Sequence, residues 1–227
     1  MDWLLEELLI LLITAPTVLI ALTVHELSHG YVAYWMGDPT PKYAGRLSFN
    51  PLKHLDPFGA ICLLLFRFGW AKPVPVNTRY FKKPRLGMAL TSLAGPLSNL
   101  ILAFLGSFFY VLSYFTLIGL PETSGFLFNV CDIWNLFNFY FVWLNISLAL
   151  FNLLPIPPLD GSNILLSFLP SKAQEVVYKY QRYVSLGFFI LLLLDRRVFH
   201  GTLTWFLTVA VEWLFNLFTT PFFHIFF

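Results

Sequence analysis

The apolar residues of the chain gather into long blocks free of ionisable side chains. From Leu8 to Val24 there is none, and the apolar character continues past His25 to Met36. A helix needs about 20 mostly apolar residues to cross a bilayer at 1.5 Å per residue, so this block predicts a spanning helix from near Trp3 to near Gly37. It is too long, and followed by too much further membrane sequence, to be a cleaved signal peptide. Two more blocks, Leu86 to Pro121 and Ile133 to Leu159, each suffice for one span, and both end at proline, which denies a helix a donor. The tail is more divided. Tyr183 to Leu194 is charge-free but only about a dozen residues long, Asp195, Arg196 and Arg197 intervene, and Val198 to Phe227 is apolar apart from His200, Glu212 and His224. One short or re-entrant segment and one further span are expected there.

The connection from residue 37 to 85 is not an ordinary loop. Its apolar stretch from Phe58 to Phe66 is too short to span and is bracketed by turn signals at Asn50-Pro51, Asp56-Pro57-Phe58-Gly59 and Phe68-Gly69. Beyond it, in Trp70-Ala-Lys-Pro-Val-Pro-Val-Asn77, prolines at alternate positions force an extended backbone and remove donors from one edge. An extended or hairpin segment dipping into the membrane fits this pattern, provided protein or water satisfies its backbone. The predicted architecture is therefore an all-α polytopic bundle of about four to six transmembrane segments with a short membrane-associated extended or hairpin region. The pattern shows no internal repeat and no inserted soluble domain, so residues 1–227 read as a single membrane domain.

Composition supports that reading. Charged residues make up 11% of the 227 and apolar residues 58%, against roughly 25% and 45–50% in soluble domains. A soluble globule of this size could not hide so much apolar surface, and so the bilayer is the expected solvent. The same numbers exclude intrinsic disorder. Cys62 and Cys131 are the only cysteines, and they do not form a C-x-x-C pair, which excludes a disulfide scaffold. A net charge of +2 is too small to suggest a nucleic-acid partner, and the 26 Phe and 7 Trp need only lipid and interface packing.

Charge changes the picture mainly through its position. Nine of the 14 basic residues, from Lys42 to Arg85, lie between the first two blocks. Short cytoplasmic loops collect Lys and Arg, so that stretch is expected in the cytoplasm, with the N-terminus and the turn around Pro121, Glu122 and Gly125 outside.

The sharpest chemical signal is His25-Glu26-Leu27-Ser28-His29 inside the first predicted span. On a helix, positions i and i+4 stack on one face, so both imidazoles can reach one ion, and Glu26 stands beside them to take a proton from metal-bound water. With 5 His and 12 acidic residues in the chain, about 0.006 chance occurrences of H-E/D-x-x-H are expected. A lone intramembrane histidine is usually a hydrogen-bonded packing residue. Three ionisable groups within five residues of a span are costly unless they share a purpose. Catalytic zinc needs a third protein ligand and an open position, and Asp160 is the best candidate. It follows Asn152-Leu-Leu-Pro155-Ile-Pro157-Pro158-Leu159, a helix end broken by three prolines, and lies at a depth similar to His25. Its alternative role is an N-cap or turn aspartate before Gly161. His54 is an ordinary loop histidine or a spare ligand, and no spacing ties it to the motif. Glu212 is an interfacial or helix-contact carboxylate, and Gly95-Pro96 is a kink or a close helix contact.

Together these residues resemble the site-2 protease family of intramembrane zinc metalloproteases. The resemblance rests on His25-Glu26-Leu27-Ser28-His29-Gly30 and on Asn152-Leu153-Leu154-Pro155 through Leu159-Asp160-Gly161. Two weaker blocks, Gly69 to Asn77 and Ala94-Gly95-Pro96-Leu97-Ser98-Asn99, extend it over roughly residues 20 to 165. It implies that His25, His29 and Asp160 hold one zinc ion and that Glu26 is the general base. It also implies that Asn152 helps to position the substrate backbone or the developing oxyanion. The implied substrate is a transmembrane segment of another protein, cut in or near the bilayer. Such a helix must unwind to expose a peptide bond, and the extended edge at residues 72–77 could hold the unwound strand by β-addition. Many members of that family carry a PDZ domain, for which this chain has no room, so a partner or adaptor protein is expected to supply substrate selection. Two other functions use the same ligands, a metal transporter or sensor and a protease-like binding partner without turnover. Transport would call for polar residues along a path through the bilayer, whereas the ionisable groups form one compact cluster.

Overall fold

The computed structural model describes residues 2–59, 71–121, 125–198 and 201–226. Seven α-helices are named here in chain order: α1 (Asp2–Trp35), α2 (Thr40–Tyr43), α3 (Pro84–Ile118), α4 (Phe126–Asn152), α5 (Asp160–Phe168), α6 (Ser171–Val198) and α7 (Thr202–Phe226). The described residues contain no β-strand, so the chain is an all-α membrane protein. Four stretches are long and apolar enough to cross a bilayer: Leu5–Trp35, Pro84–Ile118, Phe126–Asn152 and Thr202–Phe226.

Helix α3 is the centre of the bundle and packs against α1, α4, α5 and α7. Its core with α4 and α7 is made of Ala103, Val142, Ile146 and Val211, ringed by Tyr110, Trp143, Phe215 and Phe218. Small residues set the approach: a Cβ added to Gly106 would lie 2.7 Å from Cδ1 of Phe141. Where lipid is as apolar as the core, such close packing replaces the hydrophobic effect as the force between helices. Hydroxyls on these helices bond to carbonyls; Oγ of Ser107 donates to Phe104 O of its own helix and reaches Phe218 O of α7. Large apolar side chains point outward, among them Leu12, Leu105, Phe109 and Trp213, as expected where the surroundings are hydrocarbon rather than water.

The tail departs from expectation. The apolar run Tyr183–Leu194 is not a short or re-entrant segment but the second half of α6, a single 28-residue helix that begins among polar residues and runs through Asp195 to Val198. The charges do not end the helix because Arg is a good helix former and cations suit a helix C-terminus. Asp195 instead caps the next helix. Its carboxylate accepts from Leu203 N and Thr204 N, both at 3.0 Å, and from Thr204 Oγ1 at 2.5 Å.

Within the 37–85 connection, Asp56-Pro57 starts a helical turn at residues 57–59 rather than a reverse turn. Asp56 Oδ1 accepts from Gly59 N at 2.9 Å, the N-cap arrangement with proline in the first helical position. The remainder of the Phe58–Phe66 stretch, Phe68, Gly69, Trp70 and Glu122 lie outside the described residues. Residues 72–77 are extended, and an isolated antiparallel bridge pairs Leu55 with Ala71.

Candidate functional site

The site is built where α1, α3 and the start of α5 meet. His25 and His29 lie one helical turn apart on α1, with their rings edge to face and centroids 4.6 Å apart. Both are buried, at 4% and 9% exposure. Asp160 is the first residue of α5, and the N-cap position belongs to Leu159 without any side-chain cap. The capping alternative for Asp160 is therefore not adopted. Its Oδ2 lies 3.1 Å from His25 Nε2 and 3.2 Å from His29 Nε2.

Two glycines make this convergence possible. A Cβ on Gly161 would fall 2.2 Å from Leu153 O, so only glycine lets α5 start against the end of α4 and present Asp160 to α1. A Cβ on Gly95 of α3 would fall 2.5 Å from His29 Nε2 and 2.6 Å from His25 Nε2. The close approach read at Gly95-Pro96 is thus an approach to the two imidazoles, and it leaves free the space in front of their Nε2 atoms.

The far side of each ring is also held. His29 Nδ1 donates to Thr91 O at 2.7 Å, in the turn of α3 before Pro96, and His25 Nδ1 faces Asn99 Oδ1 at 2.6 Å. With Nδ1 engaged in this way, Nε2 is the ring atom that each histidine turns toward Asp160. The three donor atoms lie within 4.8 Å of one another. Tetrahedral zinc ligands at about 2.0–2.2 Å from the ion stand about 3.3–3.6 Å apart, close to the Nε2-to-Oδ2 separations here. Donor types, spacing, outer partners and the gap left by Gly95 all fit a zinc ion.

Glu26, half-buried on α1, faces the extended segment. Its Oε2 accepts from Val74 N at 2.9 Å. The segment is tied down along its length: Lys72 N donates to His54 O at 2.8 Å, Arg46 donates to Lys53 O and Lys72 O, and Asn77 N donates to Asp38 Oδ2 at 2.6 Å. Asp38 is fully buried and also accepts from Thr40 N. Residues 72 and 74 share one edge of an extended chain, and that edge faces α1 and the 46–54 loop. Pro73 and Pro75 have no N–H to offer the other edge.

Other expected residues stay apart from this cluster. Asn152 ends α4 with Nδ2 donating to Leu148 O at 2.9 Å, and the convergence of His25, His29 and Asp160 forms without it. His54 is buried in the loop, with Nε2 against Ser48 O at 2.7 Å. Glu212 is exposed on α7. Sequence reasoning missed the roles of Thr91, Asn99, Asp38 and Val74; Val74 and Asn99 entered it only as members of the two weaker blocks of the family resemblance, with no role attached. An apolar cavity of about 370 Å³ lies alongside, lined by Val18, Leu22, Ser147, Phe151, Leu203 and Leu207. Its walls include Leu22, one turn before His25, and Phe151, the neighbour of Asn152.

Comparison with known proteins yields a consistent set. The model of peptidase family M50 matches residues 117–194, which include Asn152 and Asp160. The chain is 47% identical over 180 residues to the Bacillus subtilis protein named "Putative zinc metalloprotease YwhC", covering 78% of this chain and 77% of that one. It is 29% identical over 205 residues to "Putative zinc metalloprotease Rip2" of Mycobacterium tuberculosis, covering 88% of this chain and 71% of that relative. No solved structure matches the chain.

Proposed function

The chain belongs to peptidase family M50, the site-2 protease family, and on that footing we propose that it is an intramembrane zinc endopeptidase cutting membrane-protein substrates in or near their transmembrane segments. The observation that carries this reading is the convergence of His25 and His29, on a helix long enough to cross a bilayer, with Asp160 at the start of α5, beside Glu26.

In this reading His25 and His29 through Nε2, and Asp160 through its carboxylate, hold the metal. When bound, zinc supplies Lewis acidity that lowers the pKa of water and polarises a peptide carbonyl. Glu26 takes the proton of the attacking water and returns it to the leaving amine. Val74 N–H keeps the Glu26 carboxylate turned away from α1 and toward the substrate side. The edge of residues 72–77 turned away from α1, which offers the carbonyls of Pro73 and Pro75 but no N–H from them, holds the unwound substrate strand, and Asn152, at the end of α4, contacts its backbone. The apolar walls near Leu22 and Phe151 limit water around the reacting groups, which strengthens every charge interaction among them. The basic stretch from Lys42 to Arg85 supports a site toward the cytoplasmic face with the N-terminus outside, and in this reading an adaptor protein supplies selection of substrates.

The test is cleavage of single-span membrane proteins by the zinc-loaded chain in liposomes, with fragments mapped by mass. Glu26→Gln is expected to slow cleavage by about 10²–10⁴-fold while metal content stays at one ion per chain. Undiminished turnover in that variant would overturn the mechanism. Zinc flux into the liposomes, abolished by His25→Ala, would instead identify a transporter.

A further inference from the structure

The three spanning helices nearest the site are joined by a row of buried side-chain amides that ends on a metal-facing histidine. Asn99 on α3 and Asn145 on α4 are both fully buried. Asn99 Nδ2 donates to Ala21 O of α1 at 3.1 Å and to Asn145 Oδ1 at 2.9 Å. Asn145 Nδ2 donates in turn to Phe141 O at 2.8 Å. These bonds leave no freedom in either amide. Because Phe141 O can only accept, Asn145 must present its oxygen to Asn99. Asn99 must then direct its nitrogen toward Asn145 and Ala21 and its oxygen toward His25, 2.6 Å from Nδ1. An amide oxygen accepts only, so Asn99 holds a proton on His25 Nδ1, which makes Nε2 the ring atom available to a metal.

We propose that Asn99, oriented by Asn145, is the positioning residue that sets the tautomer and ring plane of His25 for metal binding, resting on the peptidase reading of the site. Burying two amides between spanning helices is costly unless every donor and acceptor is used. Here every side-chain nitrogen and oxygen of the row has a partner, in a direction that orients a ligand two helices away from its origin. His29 needs no such device, since the acceptor at its Nδ1 is the backbone carbonyl of Thr91, whose direction cannot invert. The two histidines therefore differ: His29 is held by main chain, while His25 depends on the side chains of two other helices. Outer partners of this kind typically carry 10–100-fold in metal affinity.

The experiment measures zinc affinity of the full chain in detergent by competition with a chelating dye, together with the visible spectrum of the cobalt-substituted protein. Asn99→Leu, of similar volume but without an acceptor, is expected to weaken zinc binding about 10–100-fold and to shift the cobalt bands. Asn99→Asp keeps an acceptor at His25 but loses the donors to Ala21 O and Asn145 Oδ1, so it is expected to bind zinc more tightly than Asn99→Leu and less tightly than the unmodified chain. Asn145→Leu should likewise fall between Asn99→Leu and the unmodified chain, because Asn99 keeps its bond to Ala21 O. Equal affinity and an unchanged cobalt spectrum in Asn99→Leu would overturn the proposal. A variant-free measurement stands beside these: in the nitrogen-15 histidine spectrum of the zinc-loaded chain, His25 should show a protonated Nδ1 whose proton is protected from exchange, and an unprotonated Nδ1 would overturn the proposal. If His25→Ala and Asp160→Ala bind zinc as tightly as the unmodified chain, it is the metal reading that fails. If they lose zinc while Asn99→Leu does not, only the role of Asn99 fails.

Discussion

The backbone N–H of Val74 donates to Oε2 of Glu26 at 2.9 Å, across 48 positions of sequence. Hydrogen bonds to a charged group contribute about 1.5–3 kcal/mol, enough to hold a carboxylate in one orientation. The bond links the extended edge to the acid of the histidine motif, so a residue on a loop governs the pose of a group on a helix.

Removing that donor while keeping the extended backbone tests the link. Val74→Pro is expected to lower turnover roughly tenfold to a hundredfold with zinc content unchanged, whereas Val74→Ala, which retains the N–H, should stay near the unmodified rate. The comparison is read from cleavage rates at matched metal loading.

Space in front of the imidazoles is the next requirement. Gly95→Ala would set a methyl group 2.5 Å from His29 Nε2 and 2.6 Å from His25 Nε2. Overpacking costs about 1–3 kcal/mol, so zinc affinity should drop by about one to two orders of magnitude. Circular dichroism should show helix content preserved.

Gly161→Ala should act through backbone. Its Cβ would meet Leu153 O at 2.2 Å, a neighbour that cannot rotate away, so α5 must shift and carry Asp160 from the histidines. Loss of about 1–3 kcal/mol in stability together with zinc loss is expected, by thermal melts and metal analysis. Gly187→Ala is the control: nothing lies within 4 Å of its Cβ position, and in a helix interior the change should stabilise by about 0.5–1 kcal/mol.

Acid should loosen the junction between α6 and α7. The Thr204 hydroxyl and the Leu203 and Thr204 backbone N–H groups hold the Asp195 carboxyl below its ordinary value. A lowered carboxyl pKa gives stability that is complete above the ordinary aspartate range and is lost as pH falls through the lowered value. Protection of the Leu203 and Thr204 amides, with the intrinsic pH dependence of hydrogen exchange divided out, should fall only on that acid side, and Asp195→Asn should be less protected at neutral pH with no further loss in acid.

Several features are legible in the sequence alone. Charge-free blocks fixed three spans because hydrocarbon leaves a backbone few options besides a helix, and the i, i+4 spacing of His25 and His29 is itself a statement about helix faces. The tail was misread at Asp195 because charge near an apolar run signals a membrane boundary in composition, yet here the carboxylate caps the following helix and α6 continues through it.

What the sequence by itself determined is local: membrane helices, the pairing of two imidazoles on one face, and an acid beside them. Asp160 was a candidate from the proline-broken end of its block, but its convergence on both imidazoles, the glycine that makes room and the amide that holds His25 were decided by tertiary structure. Those partners lie 135 positions away for Asp160 and 74 for Asn99. A helix period relates only residues within a few turns. Across the bundle, a contact depends on the crossing of α1, α3 and α4 and on the backbone approach at Gly95 and Gly161, which no local spacing encodes.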